Sequence, residues 1–292
     1  MRGQKFAKKK GLWHDGIPQP IAVSILVGLI LLAWWAGITI GGISQIILPS
    51  PLQVVEQIWF VLSVVFSGGY LLEHFLITAQ EVLLGFSFAI LIGISVGAWI
   101  GLTTFGHRAA MPLFVVFEAT PKIAFAPLFV AWFGFGITSK IVMATFVSIF
   151  PIIVSTAAGL AASEELEQRL FRSMRASRWQ VFWKLKIYRA MPYIFSGLKI
   201  ASVSAVTGAV AAELLGGGMG IGEQIRVAAT RLAIDRVFGL IVLLSIFGLA
   251  LFSIVAMVER RVVFWQGPMR RTRRSATATH DTQPSASEGK NS

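Results

Sequence analysis

Val82–Gly106, VLLGFSFAILIGISVGAWIGLTTFG, contains no charged residue. At about 1.5 Å rise per residue, a helix of that length crosses the roughly 30 Å hydrocarbon core of a bilayer. Gly93, Gly97 and Gly101 recur every four residues within it. That spacing puts three glycines on one helix face, where a second helix backbone can approach closely, so they are read as packing positions and not as a ligand site. With Thr78 as its start, this span covers 78–101. Upstream, residues 16–55 are uncharged, and Ile21–Ile40 is again long enough to cross. Leu48-Pro49-Ser50-Pro51 breaks the chain after it, and residues 52–66 form a short apolar helix with Glu56 as its one charge, placed on the outer surface or in the interface. Downstream lie 110–134, interrupted by Glu118, Pro121, Lys122 and Pro127; 141–160, with Pro151; 191–215, with Lys199 and Glu213; and 237–258, which ends at Glu259-Arg260-Arg261. The pattern predicts an all-α polytopic membrane protein with six transmembrane helices in a domain over 20–265.

Composition agrees. The 292 residues are 55% hydrophobic and only 14% charged, against about 25% charged in a soluble domain, and the mean hydropathy is +0.72. A net charge of +12 raises the possibility of nucleic acid, but basic nucleic-acid binders lack repeated uncharged runs of membrane length. There are no cysteines, and the four histidines are scattered, which argues against disulfides, a thiolate nucleophile and a metal cluster. Placed on six spans, 20 of the 26 Lys and Arg fall on the side that carries both termini and the 163–191 loop, and four fall opposite. By the positive-inside rule both termini are cytoplasmic. Residues 1–19 then form a basic cytoplasmic segment ahead of an uncleaved anchor, because the first apolar run is too long for a secretory signal. The Arg-, Ser- and Thr-rich stretch 266–292 reads as a disordered cytoplasmic tail.

The internal loop over 163–189 is more than a tether. Leu166, Leu170 and Met174 fall at i, i+4 and i+8 with Phe171 beside them. Glu164, Glu165 and Glu167 lead and Arg172, Arg175 and Arg178 follow, which complements a helix dipole. Such an amphipathic helix needs a partner for its apolar stripe, either a protein groove or an anionic lipid surface.

Several stretches occur in an order that resembles a known family. They are Leu48-Pro49-Ser50-Pro51; Leu72-Glu73-His74 leading to Gly85-Phe86; Pro121-Lys122-Ile123-Ala124 with Ala126-Pro127-Leu128; Trp132-Phe133-Gly134-Phe135-Gly136 with Ser139-Lys140; and Ala176-Ser177-Arg178-Trp179-Gln180-Val181-Phe182-Trp183-Lys184. Met191-Pro192-Tyr193 through Gly197-Leu198-Lys199-Ile200-Ala201, Ala212-Glu213 and Gly218-Met219-Gly220 complete the set. Over about residues 20–265 the chain resembles the permease subunit of ABC importers, in the nitrate, sulfonate and taurine class, with features of the hydroxymethylpyrimidine and riboflavin branch. The resemblance implies the MetI-like type I permease fold. It also implies a second permease copy as a homodimer, two cytoplasmic ATPases that bind ATP and magnesium, a periplasmic or lipid-anchored solute-binding protein, an inner-membrane location and no cofactor in this chain. It makes 163–189 a coupling loop whose contacts with the ATPase are Leu170, Phe171, Met174, Arg175, Ala176 and Ser177. Here the sequence departs from the family: Arg169-Leu170-Phe171 stands for Glu-Ala-Ala, Arg175 for glycine and Ile187-Tyr188 for Leu-Pro. Glycine permits a backbone that arginine resists, and proline fixes a turn that tyrosine does not, so these departures bear on docking geometry.

No catalytic residue or nucleotide site is evident. Gly134–Lys140 looks superficially like a phosphate loop but lacks the Gly-Lys-Ser/Thr ending, and reads as a turn. Charges within spans are costly in hydrocarbon, so Glu118, Lys122 and Glu213 must face protein, water or each other. Glu118 and Lys122, four apart, either neutralise one another or line a pathway for an anionic or electron-rich solute. By resemblance Glu213 belongs to a gate or a binding-protein contact. Lys199 is expected to snorkel to the cytoplasmic interface, and the tryptophans to anchor at span ends. The function implied is a permease of an ATP-driven importer of a small anionic or heterocyclic solute; the competing readings are an ATP-independent secondary transporter and a non-transporting scaffold or sensor.

Overall fold

The computed structural model describes residues 19–44, 47–162 and 165–265; the basic segment up to residue 18 and the tail over 266–292 lie outside them. The described chain is helical and contains no strand. Helix α1 covers Gln19–Thr39, α2 Pro51–Phe66 and α3 Tyr70–Leu102. A π-helical turn over Gly106–Ala110 leads into α4, Met111–Ala119; a 3-10 turn, Lys122–Phe125, precedes α5, Ala126–Phe133; α6 follows over Ile137–Ala161. Two short helices, α7 (Glu165–Ser173) and α8 (Arg178–Val181), lead through a π turn into α9, Ile187–Gly216; α10 (Ile221–Thr230) and α11 (Ile234–Val262) complete the chain.

Five helical stretches are long and apolar enough to cross a membrane, and the bent pair α4/α5 makes a sixth. The 86° bend between its arms lies at Thr120-Pro121. Thr120 is extended (φ −71°, ψ 141°), the backbone that a following proline demands, and Pro121 has no N–H with which to continue the helix. Helix α2, with 16 residues, is too short to span. It starts sharply because Ser50 accepts from the Gln53 amide while the Gln53 side chain returns the bond, a capping box with Pro51 in the first turn.

Helix α6 is the centre of the bundle, with α3 running parallel and α9 antiparallel to it. Gly85, Gly93, Gly97 and Gly101 of α3 lie against α6 so closely that a Cβ on Gly97 would sit 2.8 Å from the Ile153 carbonyl oxygen, and one on Gly101 2.8 Å from that of Ala157. From the other side, Gly208 and Gly197 of α9 bring their backbone onto Met143–Ala144 and Pro151–Ser155. Ile152, Ala157, Ala201 and Ala205 fill the spaces between. Since lipid is as apolar as leucine, this close backbone approach, and not hydrophobicity, drives the packing. Helix α11 lies along α9 and α2, with Gly239 against the Gln57 carbonyl. Most of α1 remains exposed, and Trp34 meets Phe238 of α11 at a ring separation of 5.8 Å.

Candidate functional site

Two regions at opposite ends of the bundle hold most of the polar chemistry. At one end, α6 stops at Ala161 and the chain turns through α7 and α8 before climbing α9. Helix α7 closes with a Schellman motif: the Ala176 amide donates to the Phe171 carbonyl at 3.0 Å, and Arg175 occupies the left-handed region at φ 56°. Arginine therefore takes the backbone conformation in which the family has glycine. Arginine adopts this turn at the cost of left-handed strain, and the turn is held from its far side by Ser177, which caps α8 through a second capping box with Gln180. Leu170 and Met174 are exposed at 59% and 61%, Arg175 and Ser177 are exposed, and Phe171 and Ala176 are half-buried. All six residues predicted as contacts thus share one short hairpin. One link to the bundle is an ion pair in which Arg189 of α9 donates through Nε to Glu167 at 3.2 Å and through Nη2 to the same carboxylate.

At the opposite end lies a buried polar cluster. Lys140, in the first turn of α6 and 3% exposed, donates to the Met219 carbonyl at 2.6 Å and faces Glu81 of α3 at 3.2 Å. Glu81 is fully buried, and its carboxyl adjoins that of Glu213 as well as the Lys140 ammonium. Glu213, also fully buried, accepts from the Thr78 hydroxyl at 2.6 Å and from the Gly222 amide at 2.5 Å. Thr78 in turn accepts from the Ile221 amide at 2.8 Å, His74 Nδ1 accepts from the Gly220 amide at 3.0 Å, and His74 Nε2 lies 3.0 Å from the Gln224 side-chain amide. The loop between α9 and α10 needs glycine to wrap this carboxylate. Gly217, Gly218 and Gly220 have positive φ, and a Cβ on Gly222 would lie 2.7 Å from Glu213 Oε2. Glu213 is thereby turned inward, and it ties α3, α9 and the start of α10 together.

Sequence reasoning missed Glu81, Lys140, Thr78 and His74. The signal for the first was present, since Glu81 lies inside the 78–101 span, where an acidic residue demands a partner. Lys140 was assigned to a turn, which instead ends at Gly136. Lys199 reaches Glu259, near the carboxy-terminal end of α11, at 2.7 Å, an ion pair that joins α9 to α11. Glu118 and Lys122 clasp the α4/α5 bend at 2.9 Å, with Lys122 only 12% exposed and its ammonium 5.5 Å from the centre of the Phe150 ring. Beside that bend, from Ile123, an apolar groove of about 920 Å³ runs between α9 and α11, with Thr207 and Ser245 as its polar lining. Among the described residues no group of acidic or histidine side chains is arranged to hold a metal ion.

Residues 89–264 match the family described as binding-protein-dependent transport system inner membrane component. The chain is 30% identical to the taurine transport system permease protein of Escherichia coli (strain K12), over 90% of this chain and 97% of that one. It is 31% identical to the riboflavin transport system permease protein of Chloroflexus aurantiacus, over 84% and 90%. With the nitrate import permease protein of Synechocystis sp. it shares 30% identity over 88% and 94%.

Proposed function

The chain belongs to the family of binding-protein-dependent transport inner membrane components, the permeases of ABC importers, and on that premise we propose that two copies of it form the pathway for a small anionic or heterocyclic organic solute handed over by an external binding protein. It is a multi-pass inner-membrane protein. Both termini and the α7–α8 hairpin face the cytoplasm in this reading, where two ATPase subunits bind ATP and magnesium and this chain contributes no covalent chemistry. The carrying observation is the hairpin itself. Leu170 and Met174 present an apolar stripe to solvent at the end of a bundle, on a turn held rigid by a Schellman motif and a capping box. A greasy, rigid projection of this kind fits a groove on a soluble partner, and the Glu167–Arg189 pair links its displacement to α9. The groove between α9 and α11 is the part of the pathway this copy supplies, with the Glu118–Lys122 clasp holding the adjacent bend.

Because the chain contains no cysteine, Met174→Cys creates a unique thiol. Cross-linking from it to the cognate ATPase in membranes, and none from a cysteine in place of Arg231 at the other end, is the expected result. Equal capture of the ATPase from both positions, or from neither, overturns the assignment of the hairpin.

A further inference from the structure

Where α6 ends, α9 begins and α11 ends, a cavity of about 550 Å³ is lined by Ala162, Lys184, Leu185, Tyr188, Arg189, Tyr193 and Trp265. That volume suits a small ligand or a headgroup. Leu185 is its buried floor, and the Tyr188 and Trp265 rings, 4.5 Å apart, make one wall. The polar groups around it are donors. Lys184 has no ion-pair partner among the described residues, and the hydroxyls of Tyr188 and Tyr193 bond to no described group. Arg189 of the lining is paired with Glu167, whose carboxylate is thereby taken up. A cavity with unengaged donors and no carboxylate in its lining selects an anion that only accepts hydrogen bonds. The carboxy-terminal ends of α6 and α11, each equivalent to about half a negative charge, work against an anion, but Lys184, Lys186, Arg260 and Arg261 around them outweigh that charge.

The surroundings indicate where such an anion comes from. Trp179 and Trp183, on the turns leading to Lys184, are exposed, and such aromatics sit at headgroup depth in a bilayer. On α11, running away from Trp265 into the span, Val258, Met257 and Ile254 are exposed apolar side chains of the kind that face acyl chains. We propose that this cavity is a binding site for the phosphodiester headgroup of an anionic phospholipid, with Lys184 as its principal cation and Tyr188 and Tyr193 as additional donors. Basic pockets between spans on the cytoplasmic side are suited to such headgroups. The site is separate from the solute pathway, and its occupancy does not depend on which solute crosses.

The test uses the full chain, purified in a neutral detergent and titrated with phosphatidylglycerol, phosphatidylcholine or inorganic phosphate, with thermal unfolding and native mass spectrometry as readouts. Phosphatidylglycerol is expected to raise the unfolding midpoint with retained lipid adducts, whereas phosphatidylcholine and inorganic phosphate are expected to leave it unchanged. Lys184→Ala should weaken the phosphatidylglycerol response roughly ten-fold, the loss of one charge-assisted hydrogen bond. Tyr193→Phe should weaken it less, Lys184→Arg should retain it, and Arg231→Ala, at the far end of the bundle, should not alter it. Equal responses to both lipids, an unchanged response in Lys184→Ala, or an equal loss in Arg231→Ala overturns the proposal. A full response to inorganic phosphate overturns the lipid as its source.

Discussion

Replacing Lys140 with alanine removes the ammonium that lies 3.2 Å from Glu81 and donates to the Met219 carbonyl at 2.6 Å. Glu81 is fully buried, Glu213 is its acidic neighbour, and the mutation leaves both carboxyls without a cation between three packed helices. Breaking one partner out of a buried pair costs about 3–5 kcal/mol, most of it the burden of the orphaned charge. The loss of the Met219 contact also frees the glycine loop that wraps Glu213. Removing both charges in Lys140→Met with Glu81→Leu is expected to cost less than Lys140→Ala alone, with a coupling of about 2 kcal/mol between the sites. Unfolding in mixed micelles of increasing dodecyl sulfate fraction, followed by tryptophan fluorescence, reports these differences. A Lys140→Ala cost below about 1 kcal/mol, or strictly additive single and double variants, would refute the view that this pair is a closed buried unit.

Arg175→Gly should relieve left-handed strain worth about 1 kcal/mol, and hydrogen exchange at the Ala176 amide should slow while transport is retained. Gly97→Leu should abolish recovery of folded protein, since its first carbon already meets the Ile153 carbonyl at 2.8 Å; Gly28→Leu, with nothing within 4 Å, should behave as wild type in size-exclusion profiles. Glu167→Ala should leave the spans folded and lower transport per ATP hydrolysed, a ratio that stays constant if the Arg189 pair is ornamental. Lys122→Gln should keep the fold but slow uptake of an anionic solute more than that of a neutral one, and equal slowing would make the Glu118 pair a bend clasp only.

The spans were legible because their signal is one-dimensional: length without charge requires nothing from the rest of the chain. The α4/α5 break was legible for a similar reason, since Pro121 acts on its own neighbours. The glycine ladder on α3 announced a close contact but not that α6 would be the helix supplying it. Lys140 was misread, and the partner of Lys199 missed, because each sits near a span boundary, where a lysine alone suggests solvent. Their partners, Glu81 and Glu259, come from other helices, and only the packing reveals them. The hairpin contacts were carried by resemblance, and the left-handed backbone at Arg175 became visible only in the folded chain, because an arginine in the sequence gives no local signal for it.

In the proposed mechanism ATPase strokes enter this bundle through the α7–α8 hairpin. Reconstituting the chain with its cognate ATPase and binding protein in liposomes, and measuring solute-stimulated ATP hydrolysis for wild type and for Met174→Glu and Arg175→Glu, tests it directly. The predicted result is stimulation and uptake in wild type, with hydrolysis held at its unstimulated rate in correctly folded variants. Uptake that persists without the ATPase, or stimulation and uptake in both variants equal to wild type, would contradict it.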